Sequence, residues 1–156
     1  MGSKKNRGMM VSMADPERMD VGGRTWVVFE PFNGTRRVVQ LAGSLEEKDV
    51  QFHVFAQSNT PMYLQRYDFV GEFHQGLARA CLDGRWFHIR TNGEPAYSQR
   101  YDFVGCFFDE DFATARDKTG EFHIRKDGAP AYSERYTKVQ SYNGGTAKVS
   151  VSSEIS

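Results

Sequence analysis

The residues whose recurrence most suggests chemistry are three histidines, His53, His88 and His123, separated by 35 residues and again by 35. Imidazoles lined up on one face of a protein could ligate a transition metal. A metal site needs ligands that converge on one point, however, and residues repeated in register along stacked strands are spread along an axis at about 4.8 Å or more. Each histidine sits in a Phe-His-Val/Ile triplet, at Phe52-His53-Val54, Phe87-His88-Ile89 and Phe122-His123-Ile124. Membership of a repeated motif favours a structural role in cross-strand packing and hydrogen bonding, with metal binding by the ladder kept as an alternative. His74 lies outside the series and reads as a solvated loop residue.

Two further rows follow the same period. Tyr63, Tyr97 and Tyr132 are each followed three residues later by Arg66, Arg100 and Arg135. Side chains at equivalent repeat positions can line an extended surface, so these six are the candidate binding residues. With Arg79, Arg90 and Arg125 they could form a basic, aromatic-interleaved stripe for single-stranded nucleic acid or phosphate groups. Asp68, Asp102 and Glu134 lie close by in sequence, which points instead to ion pairs between repeats and arginine–tyrosine stacking. Asp109-Glu110-Asp111 lacks the Asp-x-Asp-x-Asp-Gly pattern of a calcium loop and coincides with a one-residue insertion, so a solvated loop is expected.

Nothing assembles a catalytic constellation. There is no Gly-x-Ser-x-Gly, no phosphate-cradling glycine loop and no His-Glu-x-x-His, and no cofactor is implied. Cys81 and Cys106 occupy non-equivalent repeat positions, and Cys81 falls in a strand-like run, where a buried thiol is the ordinary reading. The recurrence of Asp68 and Asp102 one unit apart fits a shared turn or cap.

The elements that position these residues are the repeats themselves. Each Phe-His-Val/Ile triplet is followed by a proline, at 61, 95 and 130, and then by the Tyr…Arg-Tyr pattern. Tyr67-Asp68-Phe69-Val70-Gly71 returns unchanged as Tyr101-Asp102-Phe103-Val104-Gly105 and weakens to Tyr136-Thr137-Lys138-Val139-Gln140. An older copy stands at the front, where Val28-Phe29-Glu30-Pro31-Phe32-Asn33-Gly34 matches Val139-Gln140-Ser141-Tyr142-Asn143-Gly144 in order and type. Fixed-period self-similarity is the mark of a repeat array, and worn terminal copies are usual in one.

Within the best copy, residues 77–82 and 85–90 alternate in character and are joined by Asp83-Gly84, a pair suited to a tight hairpin turn. Asn92-Gly93 before Pro95 and Asp127-Gly128 before Pro130 mark a second turn, after which residues 101–107 supply another strand-like run. Each unit therefore reads as about three short strands. Strand alternation places Phe87 and Ile89 on one face and Trp86 and His88 on the other, so stacked units would carry an apolar ladder of Phe52, Phe87 and Phe122 beside a polar ladder of histidines. No sustained three-and-four apolar spacing predicts a long helix.

The fold expected is all-β: tandem units of about 35 residues stacked as a short open array or solenoid, because three and a half units are too few to close a propeller. Residues 1–23 read as a disordered leader and 24–156 as a single repeat domain. Its units run roughly 24–60 (degenerate), 61–94, 95–129 and 130–156 (partial), with an exposed insertion at 43–49.

Composition supports the class and narrows the partners. The 156 residues carry 20 Lys plus Arg against 20 Asp plus Glu, so no overall charge surplus nominates nucleic acid or a membrane surface. Aromatic residues make up 13%, which suits half-buried strands. Two cysteines without a CxxC spacing argue against a disulfide framework, and no long apolar run follows the short, mixed segment after Arg7, so a cytoplasmic protein is expected.

The sequence also resembles the bacterial WG, or KWG, repeats. Val70-Gly71-Glu72-Phe73, Gly76-Leu77-Ala78-Arg79-Ala80 and Asp83-Gly84-Arg85-Trp86-Phe87-His88-Ile89 follow that pattern in order, over about residues 50–150. The chain departs from it at the Trp-Gly pair, which is Trp86-Phe87 in one unit and Glu121-Phe122 in the next, a Phe-His-Ile variant. The resemblance implies an interaction module with no catalytic residues to carry over. The expectation is thus a non-enzymatic array that binds a macromolecular partner, most simply a protein, with end-to-end self-association through unpaired terminal strands. A second reading, prompted by an end at Ser156 midway through a repeat, is an accessory or fragmentary repeat region of a larger enzyme whose catalytic domain is absent.

Overall fold

A computed structural model describes residues 17–151. Among them every regular element is a strand and none is a helix. The strands are β1 (Glu17–Val21), β2 (Arg24–Val28), β3 (Thr35–Gln40), β4 (Val50–Phe55), β5 (Phe69–Val70), β6 (Ala78–Leu82), β7 (Arg85–Ile89), β8 (Phe103–Val104), β9 (Phe112–Asp117), β10 (Gly120–Arg125), β11 (Lys138–Val139) and β12 (Val149–Ser150). They form small antiparallel sheets in the orders β1-β2-β3-β4, β5-β6-β7, β8-β9-β10 and β11-β12, an open series rather than a barrel.

The two middle sheets have the three strands that the repeat predicts. Asp83 and Gly84 turn β6 into β7 with φ of 55° and 78°, the left-handed pair a two-residue hairpin requires. Residues 101–107 hold less strand than expected, since only Phe103 and Val104 pair along β9. The segment expected as leader is ordered at its end: Glu17–Val21 form β1, which pairs with β2 along its whole length and covers that strand's edge. Residues 1–16 lie outside the described residues.

Units are joined by the stretch that leads into each short strand. Tyr67, Tyr101 and Tyr136 bridge back to Gln51, Trp86 and Glu121 on the preceding sheet, while Phe69, Phe103 and Lys138 two residues later pair forward into their own. The same outer edge of β4, β7 and β10 is also paired near Pro61, Pro95 and Pro130. The backbone donors and acceptors of the Phe-His-Val/Ile strands are thus satisfied on both sides, as burial demands.

Those strands do not present one apolar and one polar face. Phe52, His53 and Val54 are all buried, and so are the equivalent triplets at 87–89 and 122–124. One face packs Phe87 and Ile89 over Ala80 and Ala78, and the other face, carrying His88, is covered as well. Nor do the phenylalanines form a direct ladder. The ring that meets Phe87 across the boundary is Tyr67, at 5.8 Å and edge-on, and Tyr101 meets Phe122 likewise at 5.7 Å. Each of these tyrosines also donates its hydroxyl to a turn carbonyl one unit on, Tyr67 to Gly93 at 2.5 Å and Tyr101 to Gly128 at 2.6 Å.

Gly93 sits with φ of 85°, and a Cβ there would lie 2.4 Å from Cγ of Tyr63. Backbone conformation and unit-to-unit packing both demand glycine at that position. Gly84 shares the positive φ but would point a Cβ into open space. Gly93→Ala is therefore expected to destabilise by about 2–4 kcal/mol, strain plus overpacking, and Gly84→Ala by only about 1 kcal/mol. Urea denaturation of the two variants checks this, and equal losses would refute the boundary assignment.

Candidate functional site: the repeated polar rows and the exposed face

Each histidine of the series is held at both ring nitrogens. Nε2 of His53, His88 and His123 donates to the carbonyls of Gly71, Gly105 and Gln140 in the following unit, at 2.7, 2.8 and 2.7 Å. A carbonyl can only accept, so Nε2 carries a proton, and burial, which disfavours the imidazolium, leaves Nδ1 without one. Nδ1 then accepts from the hydroxyls of Tyr63, Tyr97 and Tyr132, at 2.5, 2.5 and 2.6 Å. Phe73, Phe107 and Tyr142 cover the imidazoles at centroid distances of 4.3, 4.6 and 4.6 Å. Burial disfavours the imidazolium and pushes His53 and His88 down to about 4, and it lowers His123 in the same direction. The histidines are connectors between units, with no nitrogen left over for a metal, and no group of three or more His, Cys, Asp or Glu among the described residues is placed to hold one.

The tyrosine row is equally internal. Tyr63 and Tyr97 are buried, and their hydroxyls are engaged by the histidines. The arginine row staples loops. Arg66 lies 3.8 Å above the ring of Phe52, Arg100 4.0 Å above Phe87 and Arg135 3.8 Å above Phe122. One Nη1 of Arg66 donates to the carbonyls of Tyr63, Leu64 and Gln65, all at 3.0 Å, and Arg100 and Arg135 repeat this pattern. Cation–π stacking and carbonyl capping fix the outward loop in one geometry. The ion pairs expected for these arginines go elsewhere: Asp68 takes Lys48 at 2.7 Å and Asp102 takes Arg85 at 3.2 Å.

The expected readings of His74 and Cys81 also change, while the acidic loop is solvent-exposed as expected. His74 is no free loop residue, because its ring contacts Phe32 at 5.1 Å and Phe108 at 5.0 Å, one from each neighbouring unit. Cys81 is half-exposed rather than buried. Asp111, in the acidic loop, faces Lys126 at 3.5 Å and is otherwise open to solvent.

What remains outward is a different row. Val27 lies opposite Val39 and Val39 opposite Gln51; Phe69 lies opposite Cys81 and Cys81 opposite Trp86; Phe103 lies opposite Arg116 and Arg116 opposite Glu121; Lys138 lies opposite Ser150. Every one of these is half-buried or exposed. They trace one stripe across all four sheets on the face away from the phenylalanine core. Gln51, Trp86 and Glu121 are its couplers. Oε1 of Gln51 accepts from the amide of Val70 at 3.0 Å, Oε1 of Glu121 accepts from that of Val139 at 2.9 Å, and Trp86 instead lays its ring against Phe69 at 5.4 Å and Phe103 at 5.2 Å.

Arg79 stands at the centre of this aromatic group, 5.4 Å from Phe69, 5.4 Å from Trp86 and 5.7 Å from Phe103, with Arg116 on the far side of Phe103 at 5.5 Å. Its Nε is buried without a hydrogen-bond partner. In the preceding unit the equivalent Arg37 has a carboxylate, Glu72 at 3.2 Å, and beside Arg79 the place of Glu72 is taken by Cys106. The stripe then runs into a recess of about 200 Å3 between Phe103, Arg116, Glu121 and Lys138. Sequence reasoning named Arg79 only as part of a basic stripe with the recurrent arginines and missed its aromatic neighbours, because Gln51, Trp86 and Glu121 differ from unit to unit. That variation was the available signal.

The architecture defines a class: an all-β tandem-repeat array whose recurrent polar side chains bind unit to unit. A family model, the WG containing repeat, matches residues 65–86, from the loop of Arg66 through β5 and β6 to Trp86 on the exposed stripe, so this segment is similar to a WG repeat. Comparison with curated proteins and with solved structures returned no match.

The neutral histidines carry a pH signature. Unfolded, they take up protons near their ordinary value of 6.5, but folded His53 and His88 resist until about 4. The unfolded state binds more protons in that window, so stability is full above 6.5 and falls as the pH drops towards 4, by roughly 2–3 kcal/mol per fully shifted group. Urea midpoints measured between pH 7 and 4.5 should decline steadily, and the slope should shrink in His88→Gln.

Proposed function

We propose that this chain is a non-catalytic repeat module that binds a protein partner through the stripe centred on Phe69, Trp86 and Phe103 with Arg79 and Arg116. The observation that carries the reading is the division of labour between positions. The recurrent histidines, tyrosines and arginines are engaged inside the array. The outward face gathers tryptophan, at a position that varies between units, with phenylalanine and arginine beside it. Those are the residue types that dominate the energetics of protein interfaces. The balanced overall charge favours a mixed apolar and polar protein surface over the polyanion of a nucleic acid.

Trp86 is only half-buried and makes no backbone-holding hydrogen bond with its side chain, so it can be changed without dismantling the unit. A pull-down from the native host compares wild type with Trp86→Ser and with Arg100→Ala. Trp86→Ser should lose the captured partner while keeping its melting temperature within a few degrees. Arg100→Ala should lose stability first, because its guanidinium holds a loop. Retention of every partner by Trp86→Ser would sink the assignment of the stripe.

A further inference from the structure

Among the described residues the last sheet has two strands where each middle sheet has three. In the middle units the order is short strand, hairpin strand, Phe-His-Ile strand, and the next unit then joins through Tyr101 or Tyr136. β11 and β12 supply the first two places, and among the described residues no strand takes the third. What such a strand would cover stays open. Val149 pairs with Val139 as Ala80 pairs with Val70 and Ala115 with Val104. Ala80 and Ala115 are 0% and 2% exposed, whereas Val149 is 38%. Beside it a recess of about 330 Å3 opens between Tyr132, Tyr136, Tyr142, Ala147 and Val149.

The opposite end carries the converse feature. β2 corresponds to the short strand of the later units, Val28 standing where Val104 does. Asp20 on β1 lies opposite Thr25, as Trp86 on β7 lies opposite Tyr101. β1 therefore holds the place of a third strand, the kind β12 lacks. Among the described residues it is the edge strand of its sheet, and the edge left unpaired there is the one that a β6-like or β9-like strand would fill.

We propose that copies of this chain join head to tail, with β1 of one copy adding antiparallel to β12 of the next and completing its sheet. The register follows from the middle unit, in which Cys81 faces Trp86 and Ala80 faces Phe87. Transferred to the ends, Ser150 faces Asp20 of the incoming copy, Val149 faces its Val21 and Val151 faces its Met19. Met19 and Val21 are partly buried apolar residues packed against their own core, so the junction continues the apolar face across the boundary. Charge selects the same register. Lys138 stands where Phe69 stands, and Phe69 touches Trp86 at 5.4 Å, so Lys138 of one copy comes beside Asp20 of the next. Among the described residues neither charge forms an ion pair within the chain, and the hydroxyl of Thr25 donates to Asp20 at 3.2 Å. The contact is heterologous, using different surfaces on the two copies, so assembly does not stop at a dimer.

Sedimentation velocity of the full chain over a wide concentration range tests this. The expected result is a weight-average mass that keeps rising with concentration past that of a dimer. Lys138→Asp and Asp20→Lys should each weaken association by about tenfold or more, since each sets like charges together. The chain carrying both substitutions should recover it, because the pair is restored with its signs exchanged. Val149→Lys, at an already exposed site, should abolish association with the melting temperature retained. Trp86→Ser should leave it unchanged, which keeps this inference separable from the partner-binding stripe. A monomer at every concentration, a closed dimer, or association indifferent to Lys138→Asp, Asp20→Lys and Val149→Lys would overturn the proposal.

Discussion

A neutral imidazole buried between two units is the interaction on which the other features depend. A strand such as β7 that is covered on both faces cannot carry a charged or unsatisfied polar group without a large penalty. Histidine at position 88 is tolerated because one nitrogen gives its proton to the carbonyl of Gly105 and the other takes one from Tyr97. Those two partners lie on opposite sides of the unit boundary, one in the loop that leaves β7 and one just past β8. A single side chain thereby fixes the loop, the strand and the next unit together, and the same fixture occurs at His53 and His123.

Other contacts complete the boundary once this one is set. With Tyr97 held by His88, the arginine three residues later is free to stack on Phe87 and cap the loop carbonyls. With the short strand in place, Tyr67 and Tyr101 reach forward to the turn glycines of the next unit. Stability in such an array is a sum of units and nearest-neighbour interfaces, and here the interfaces are polar fixtures set inside an aromatic core. The last described unit is less covered than the middle ones. Tyr132 is more exposed than Tyr63 or Tyr97, and Val149 stands uncovered where Ala80 and Ala115 are buried.

The recurrent histidines and the tyrosines bonded to them are residues that every unit needs for its neighbour, and they point inward. Positions free to differ are those whose contact with the neighbour can be met by more than one kind of side chain. The couplers Gln51, Trp86 and Glu121 show the distinction, since two satisfy a backbone amide and the third makes ring contacts in the same place. Repetition in a solenoid therefore marks its mortar more than its binding surface, which is why the tyrosine and arginine rows were poor guides to recognition.

Much of the local structure was legible in the residues themselves. The period, the Asp83-Gly84 hairpin, the all-β class and the absence of long helix follow from turn chemistry and strand alternation, which act over a few residues. The open series of sheets follows from the number of repeats. The contents of each face were not legible. Alternation puts His88 and Trp86 on the same side of β7, but only the docking of the next unit decides that His88 is sealed by Phe107 while Trp86 stays at the surface. Likewise the sequence shows Glu17–Val21 without an apolar period, and pairing to β2 makes it a strand. Spacing along the chain specifies which residues are equivalent. Burial, protonation state and exposure belong to contacts between units 17 to 35 residues apart, and those exist only after the chain has stacked.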